Sequence, residues 1–281
     1  MTDNSPSTAK TIEIHHPEVW SLALHLHPNC LKYVLYSSVE DNSLTYGTIE
    51  FRGESGNYIR ALETAIYDNP FLLSPFGRLR ILVESDSFLL VPDEFSAGGD
   101  VAECRKYFSR IYPDDRRNLA VDSIADAGCS LVYAIDRELE AFLRRTFNNP
   151  PMIHFLTPMI KFFNRKAAYG GQNKMFVYLN NDKVEIVAIR NSKLVLANSY
   201  PFKETENAFY YIMNAWQQCG MNQTTDEMHI TGDKQTRNIL LPELRQYVRN
   251  VMQVIFPADL LRLGNDVMAA PFDLIILPLC E

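Results

Sequence analysis

The sequence predicts an α/β protein made of two similar halves, and three observations point there. A succession of three strands, one helix and a further strand near the start of the chain returns about 150 residues later. The 281 residues leave room for one large domain or two of about 140. The 47% hydrophobic and 22% charged composition is that of a folded globular protein and excludes collagen-like, low-complexity and wholly disordered classes.

In the first copy, residues 21–27, 31–39 and 44–51 are β-rich runs, and Glu40, Asp41, Asn42 and Ser43 supply the turn between the last two. Gly56 precedes a helix in which Ile59, Leu62 and Ile66 share a face, ended by Asp68, Asn69 and Pro70. Strands at 79–84 and 88–91 follow. In the second copy the strands are 175–180, 184–190 and 193–202, with Asn191 and Ser192 at the turn where the first copy has Asn42 and Ser43. The helix 205–219 turns Ala208, Phe209, Ile212, Trp216 and Cys219 inward, Gly220 caps it, and a strand at 228–231 comes next. Such a unit forms a ribonuclease-H-like sheet, so we expect two ribonuclease-H-like subdomains with mixed five-stranded sheets flanked by helices.

Between the copies lie a helix at 101–111, a strand at 131–135 and a helix opened by Asp136, with Leu139, Phe142, Leu143 and Phe147 inward. Asn148, Asn149, Pro150 and Pro151 stop that helix; a short strand at 152–156 leads to Thr157, an N-cap with Pro158 at the first helical position. The expected division is a flexible lead at 1–18, a first subdomain with connecting helices at 19–166 and a second at 167–281, parted by the loop that contains Gly170 and Gly171.

Charge narrows the partners. Lys and Arg total 27 against 34 Asp and Glu, a net charge of -7, which gives phosphate-backbone binding no global support. The apolar run 272–279, with Asp273 inside it, is far shorter than the ~20 residues of a membrane helix, and residues 1–10 are polar without a signal-peptide core. We therefore expect a cytoplasmic protein without membrane insertion or nucleic-acid partner. Cys30, Cys104, Cys129, Cys219 and Cys280 are scattered and never spaced as Cys-x-x-Cys, so reduced and mostly buried thiols are expected.

Leu22-Ala23-Leu24-His25-Leu26-His27-Pro28-Asn29-Cys30-Leu31-Lys32 is similar in hydrophobic pattern and length to the first phosphate motif of actin-like ATPases. That motif usually runs apolar-Asp-apolar-Gly before a small polar loop and a Lys or Arg. Phe176-Val177-Tyr178-Leu179-Asn180 resembles the second phosphate motif in the same way. Arg190 through Val195 and Tyr200-Pro201-Phe202 resemble the pilus-assembly, PilM-like branch, and Met228 through Asp233 stand where that branch has a strand leading into its adenosine motif. The whole chain, with Val91-Pro92 and the segment 198–211, is similar to domain-of-unknown-function family 3822 (DUF3822) of Bacteroidetes. The resemblance covers roughly residues 18–255 and implies an actin-like ATPase fold with an internal duplication.

Actin-like ATPases hold hydrated Mg²⁺ through a carboxylate on the first strand and bring glycine turns against the β- and γ-phosphates. By the resemblance, the matching positions here are His25 and His27, then Tyr178 and Asn180, so carboxylates and close-approach glycines are missing from both motifs. Gly232 remains, Asp233 adds negative charge beside the expected nucleotide, and Lys32 keeps the basic position, although its plain reading is a strand lysine lying along apolar surface. A nuclease of the ribonuclease-H type also needs a first-strand carboxylate, where this chain has His25. We therefore expect a degenerate cleft with no catalytic residues, no cofactor, and weak or absent ATP binding.

Other chemistry has less support. His25 and His27 point to one strand face and are a candidate metal pair with His15 or His16, but no third ligand stands at a recognised spacing, so a hydrogen-bonded strand histidine is the commoner outcome and no metal is expected. Cys30 has no paired His or Asp pattern to mark it as a nucleophile. On the 205–219 helix, Tyr210, Asn214, Gln217 and Gln218 point outward without charge, unlike the charged face of the helix after Asp136; this makes them a candidate interface for a partner or a second copy. The resulting expectation is a non-catalytic pseudo-ATPase that serves as a protein-binding scaffold or adaptor. The alternative is a nucleotide-binding ATPase or sugar-kinase-like enzyme with unconventional phosphate motifs, and a third reading is a dimeric structural protein.

Overall fold

A computed structural model describes residues 14–37, 39–51, 57–96, 98–180, 182–256, 260 and 262–280, so Gly56 and most of the lead 1–18 lie outside the described residues. In chain order, β1 (Trp20–Leu26), β2 (Cys30–Ser37), β3 (Thr45–Glu50), α1 (Tyr58–Tyr67), β4 (Arg78–Val83) and β5 (Phe88–Pro92) open the chain. Next come α2 (Asp93–Ser96), α3 (Val101–Ile111), β6 (Asn118–Ile124), β7 (Cys129–Ile135), α4 (Arg137–Thr146), β8 (Met152–His154) and α5 (Leu156–Ala167). The second half holds β9 (Lys174–Asn180), β10 (Lys183–Arg190), β11 (Lys193–Pro201), α6 (Thr205–Gln218), β12 (Glu227–Gly232), α7 (Lys234–Tyr247), β13 (Asn250–Gln253) and a short helix at Phe272–Ile275.

The two halves have the same sheet order, β3-β2-β1-β4-β8 and β11-β10-β9-β12-β13. In each, the first three strands pair antiparallel and the last two join parallel, so both sheets are mixed and five-stranded. The central strands are covered on both faces, which is why Trp20–Leu26 and Lys174–Asn180 read as nearly continuous apolar runs. Strand alternation sorts β9 between two cores: Met175, Val177 and Leu179 pack with Trp216, Ile212 and Leu240 of α6 and α7, while Phe176 and Tyr178 turn the other way.

That second face joins the halves. Phe163 of α5 stacks on Phe176 at 4.3 Å between ring centroids and on Phe272 at 5.5 Å. One apolar cluster therefore runs from Leu22 and Ile81 of the first sheet through Phe163 to Phe176 of the second. The end of the chain returns to the first half: Asn42 N donates to Arg262 O at 2.9 Å and Leu44 N to Leu263 O at 2.8 Å.

Two expectations need correction. The strand at 88–91 does not extend the first sheet; β5 pairs with β7 in a separate three-stranded sheet, β5-β7-β6, and β8 supplies the fifth strand. Nor is Thr157 an N-cap. Helix α5 starts at Leu156, Phe155 takes the cap position, and Thr157 Oγ1 instead donates to Asp122 Oδ2 at 2.6 Å. Asp122 is buried and also accepts from His154 N at 2.7 Å, so this carboxylate outcompetes the helix end for the hydroxyl. Burial pushes Asp122 up to about 6 against the pull of those two donors.

Thr157→Val should therefore destabilise the fold by about 1–3 kcal/mol near pH 8, because a buried carboxylate loses a donor. Asp122 has its folded pKa above its unfolded value, so its ionisation costs stability as pH rises through about 6. The loss in Thr157→Val should shrink towards about pH 4.5, as read by chemical denaturation at both pH values. Phe163→Ala should cost about 3–5 kcal/mol by the same assay, whereas Tyr169→Ala, 80% exposed, should stay within about 0.5.

Candidate functional site

Lys32, Tyr178, Asn180, Gly232 and Asp233 come together on the wall of one cavity of about 560 Å³, with Lys234, Arg237 and Phe272 beside them. Five of the seven expected cleft positions thus meet. His25 and His27 are not on that wall; they lie in a buried ionic cluster, a few residues away on β1 and its following turn.

His25 is fully buried between two carboxylates. Its Nδ1 pairs with Asp273 Oδ2, and its Nε2 lies 3.3 Å from Glu84 Oε1. The same Glu84 oxygen is 2.8 Å from His27 Nδ1, while Oε2 meets Lys183 Nζ at 3.0 Å. Tyr178 donates its hydroxyl to Asp273 Oδ1 at 3.0 Å, so Asp273 and Glu84 each link the first half to the second. Glu185, paired in register with Tyr178, is buried on the same face.

The charges follow from this geometry. Burial disfavours a charged His25, but Asp273 and then Glu84 outweigh it and raise the imidazole to about 9. Burial would also raise Glu84, yet hydrogen bonds to His25 and His27 hold it well below the usual carboxylate range. Asp273 is lowered against its burial by His25, His27 and Tyr178. Burial, with Glu84 and Asp273 close by, drives Glu185 well up, and Tyr178 rises by burial and the charges of Asp273 and Glu185. His27 is pulled down by burial despite Glu84, and His154, enclosed behind Phe155, is pulled down to about 3 by burial.

These residues do not fit a hydrated Mg²⁺ with a nucleotide. The first-strand carboxylate position holds an enclosed imidazole, and the second motif holds the Tyr178 ring, already committed to Asp273. Gly232 has a local reason to be glycine: at φ 98°, a Cβ there would sit 2.0 Å from Leu179 O, so it serves the close approach of β12 to β9. Asp233 does not stand free as a negative charge beside a ligand; it caps α7 by accepting from Thr236 N at 2.7 Å.

Other expectations resolve similarly. His16 contacts Glu18 at 3.2 Å, and the third group beside His25 and His27 is Glu84 rather than His15 or His16. Burial raises the Cys30 thiol, with Glu50 adding to the effect, which makes it a poorer nucleophile. All five cysteines are free, but only Cys104 and Cys129 are fully buried, fewer than expected. On α6, Tyr210 is 63% exposed and Asn214, Gln217 and Gln218 are exposed. Tyr210, Asn214 and Gln217 line a groove with Met213 and Met221, and Glu206 at the first turn gives the exposed surface one charge that the outward four residues lack.

Sequence reasoning missed Glu84, Lys183, Glu185 and Asp273 as members of this cluster. Asp273 had a signal, an acid inside an apolar run; Glu84, at the end of a predicted strand, had none.

The family model described as "Protein of unknown function (DUF3822)" matches residues 9–251. The chain belongs to this family. The DUF3822 chain is similar to a solved protein of Bacteroides thetaiotaomicron with actin-like ATPase fold and unknown function, at 23% identity over 94% of this chain and 97% of that one, TM-score 0.77. It is also similar to PilM in a PilM–PilN type IV pilus biogenesis complex, at 13% identity over 94% of this chain and 100% of that one, TM-score 0.61. No curated protein matches it. Together these establish the actin-like ATPase fold for the DUF3822 chain.

Tyr178→Phe removes only the hydroxyl that holds Asp273. Its expected cost is about 1.5–3 kcal/mol in thermal or denaturant unfolding, the range for a buried hydrogen bond to a charged group.

Proposed function

We propose that this DUF3822 protein acts by binding another protein, as a cytoplasmic scaffold or adaptor, and does not turn over ATP. The observation that carries the reading is the ionic seam behind the cleft, in which His25, Glu84, Tyr178 and Asp273 satisfy one another where a metal–nucleotide complex would need open carboxylates and glycine turns. The partner half of the reading draws support from PilM, a neighbour in fold that is found with PilN. The groove along α6 around Tyr210 is the surface for it, open to a partner or a second copy. Among the described residues no helix is long and apolar enough to cross a membrane.

A second reading, nucleotide or other anion binding without turnover, is favoured by one feature. Among the described residues that line the cavity, Lys32, Lys234 and Arg237 meet one acid, Asp233, and Arg237 Nε is buried with no hydrogen-bond partner among them.

Calorimetric titration with ATP and Mg²⁺, combined with a phosphate-release assay, separates these. The expected result is little heat and no hydrolysis above background. Heat without hydrolysis supports the second reading, and turnover that disappears in Lys32→Ala overturns the first. For the surface, the double variant Tyr210→Glu with Asn214→Glu should fold normally, since both side chains are exposed, yet weaken self-association in light scattering or lose a co-purifying protein. Unchanged assembly and unchanged co-purification would remove α6 from the account.

A further inference from the structure

The geometry points to a binding site for a divalent transition-metal ion of the zinc type, ligated by His25, His27 and Glu84. The backbone sets it up. His25 and His27 are two residues apart and share a face, and β1 pairs parallel with β4 so that His25 stands opposite Leu82. Continued by two residues, that register brings Glu84 beside His27, and one ligand atom from each of the three side chains lies within 4.8 Å of the others.

Distances fit a shared cation. Zinc bonds of ~2.0–2.1 Å spread tetrahedrally hold neighbouring ligand atoms about 3.3 Å apart. Glu84 Oε1 lies 3.3 Å from His25 Nε2 and 2.8 Å from His27 Nδ1, so two of the three spacings already stand near that value, and the third is within 4.8 Å. The outer groups are also those of a metal site. His25 turns its other nitrogen to Asp273, which Tyr178 steadies, and Glu84 keeps its other oxygen on Lys183.

Among the described residues His27 Nε2 is buried without a hydrogen-bond partner, so the ring is anchored through Nδ1 and is free to adjust towards an ion there. Two imidazoles with one carboxylate select a zinc-like ion over Mg²⁺, which prefers oxygen. His27 and Glu84 side chains retain 12% and 13% exposure, so the ion has an approach from solvent. Such a site would tie β1 to β4 next to the groups of the second half; its three ligands do not line the nucleotide-side cavity, which it touches through Tyr178.

The test uses the full, untagged chain stripped with a chelator, titrated with Zn²⁺ against a chromophoric competitor and, separately, with Co²⁺ to read its visible absorption. Wild type should bind one equivalent, show a tetrahedral-type Co²⁺ spectrum, gain Tm with Zn²⁺ and ignore excess Mg²⁺. His27→Ala and Glu84→Gln should each lose at least about tenfold in affinity, and Asp273→Asn roughly 10–100-fold, while His16→Ala stays at wild-type affinity. Circular dichroism confirms folding of each variant; if His27→Ala unfolds, His27→Gln replaces it. Absence of stoichiometric Zn²⁺ binding by wild type overturns the site, as does binding that survives both His27 and Glu84 substitution in folded protein.

Discussion

A charge enclosed by protein must be paired, and here that requirement falls on the joint between the two halves. His25 can be buried because Asp273 and Glu84 flank it; Asp273 can be buried because His25 and Tyr178 reach it; Glu84 is further matched by Lys183. The participants come from β1, the end of β4, β9, β10 and the segment at Phe272–Ile275, so five separate stretches of chain must converge for all of them to be satisfied. Phe272 precedes Asp273 and packs on Phe163, which places the polar seam and the apolar joint side by side.

The same seam lies beside the cavity of an actin-like fold, and the residues there have structural partners of their own. Residues that carry the fold are retained for local reasons: Gly232 allows β12 to approach β9, and Asp233 starts α7. At the positions where the motif resemblance expects phosphate chemistry stand two rings, His25 and Tyr178, whose neighbours are carboxylates directed inward. A cleft residue can thus look like a remnant of the family motif and still be a structural necessity.

What was legible in the sequence was local. The strands and helices of both halves announce themselves through periodicity and caps, with Asp100 and Asp136 each accepting from backbone amides at the expected helix starts. Repetition of element order was enough to foresee two mixed sheets. Non-local competition was not legible: Thr157 looks like a cap until Asp122 takes its hydroxyl, and the strand at 88–91 looks like a sheet neighbour until β7 pairs with it. Pro242 inside α7 and the four-residue length of β13 obscured the end of the second half. The seam was invisible for the same reason, since Glu84, Lys183 and Asp273 are distant in sequence from His25 and share no spacing with it.

Paired buried charge couples the two halves. A double-mutant cycle on unfolding free energy with Glu84→Gln, Lys183→Met and the double variant measures this directly, because the two residues come from different halves and meet at 3.0 Å. The expected coupling energy is at least about 1 kcal/mol, the double variant being less destabilised than the sum of the singles. Additivity within about 0.3 kcal/mol would contradict it, since the two side chains would then be neighbours that do not depend on one another.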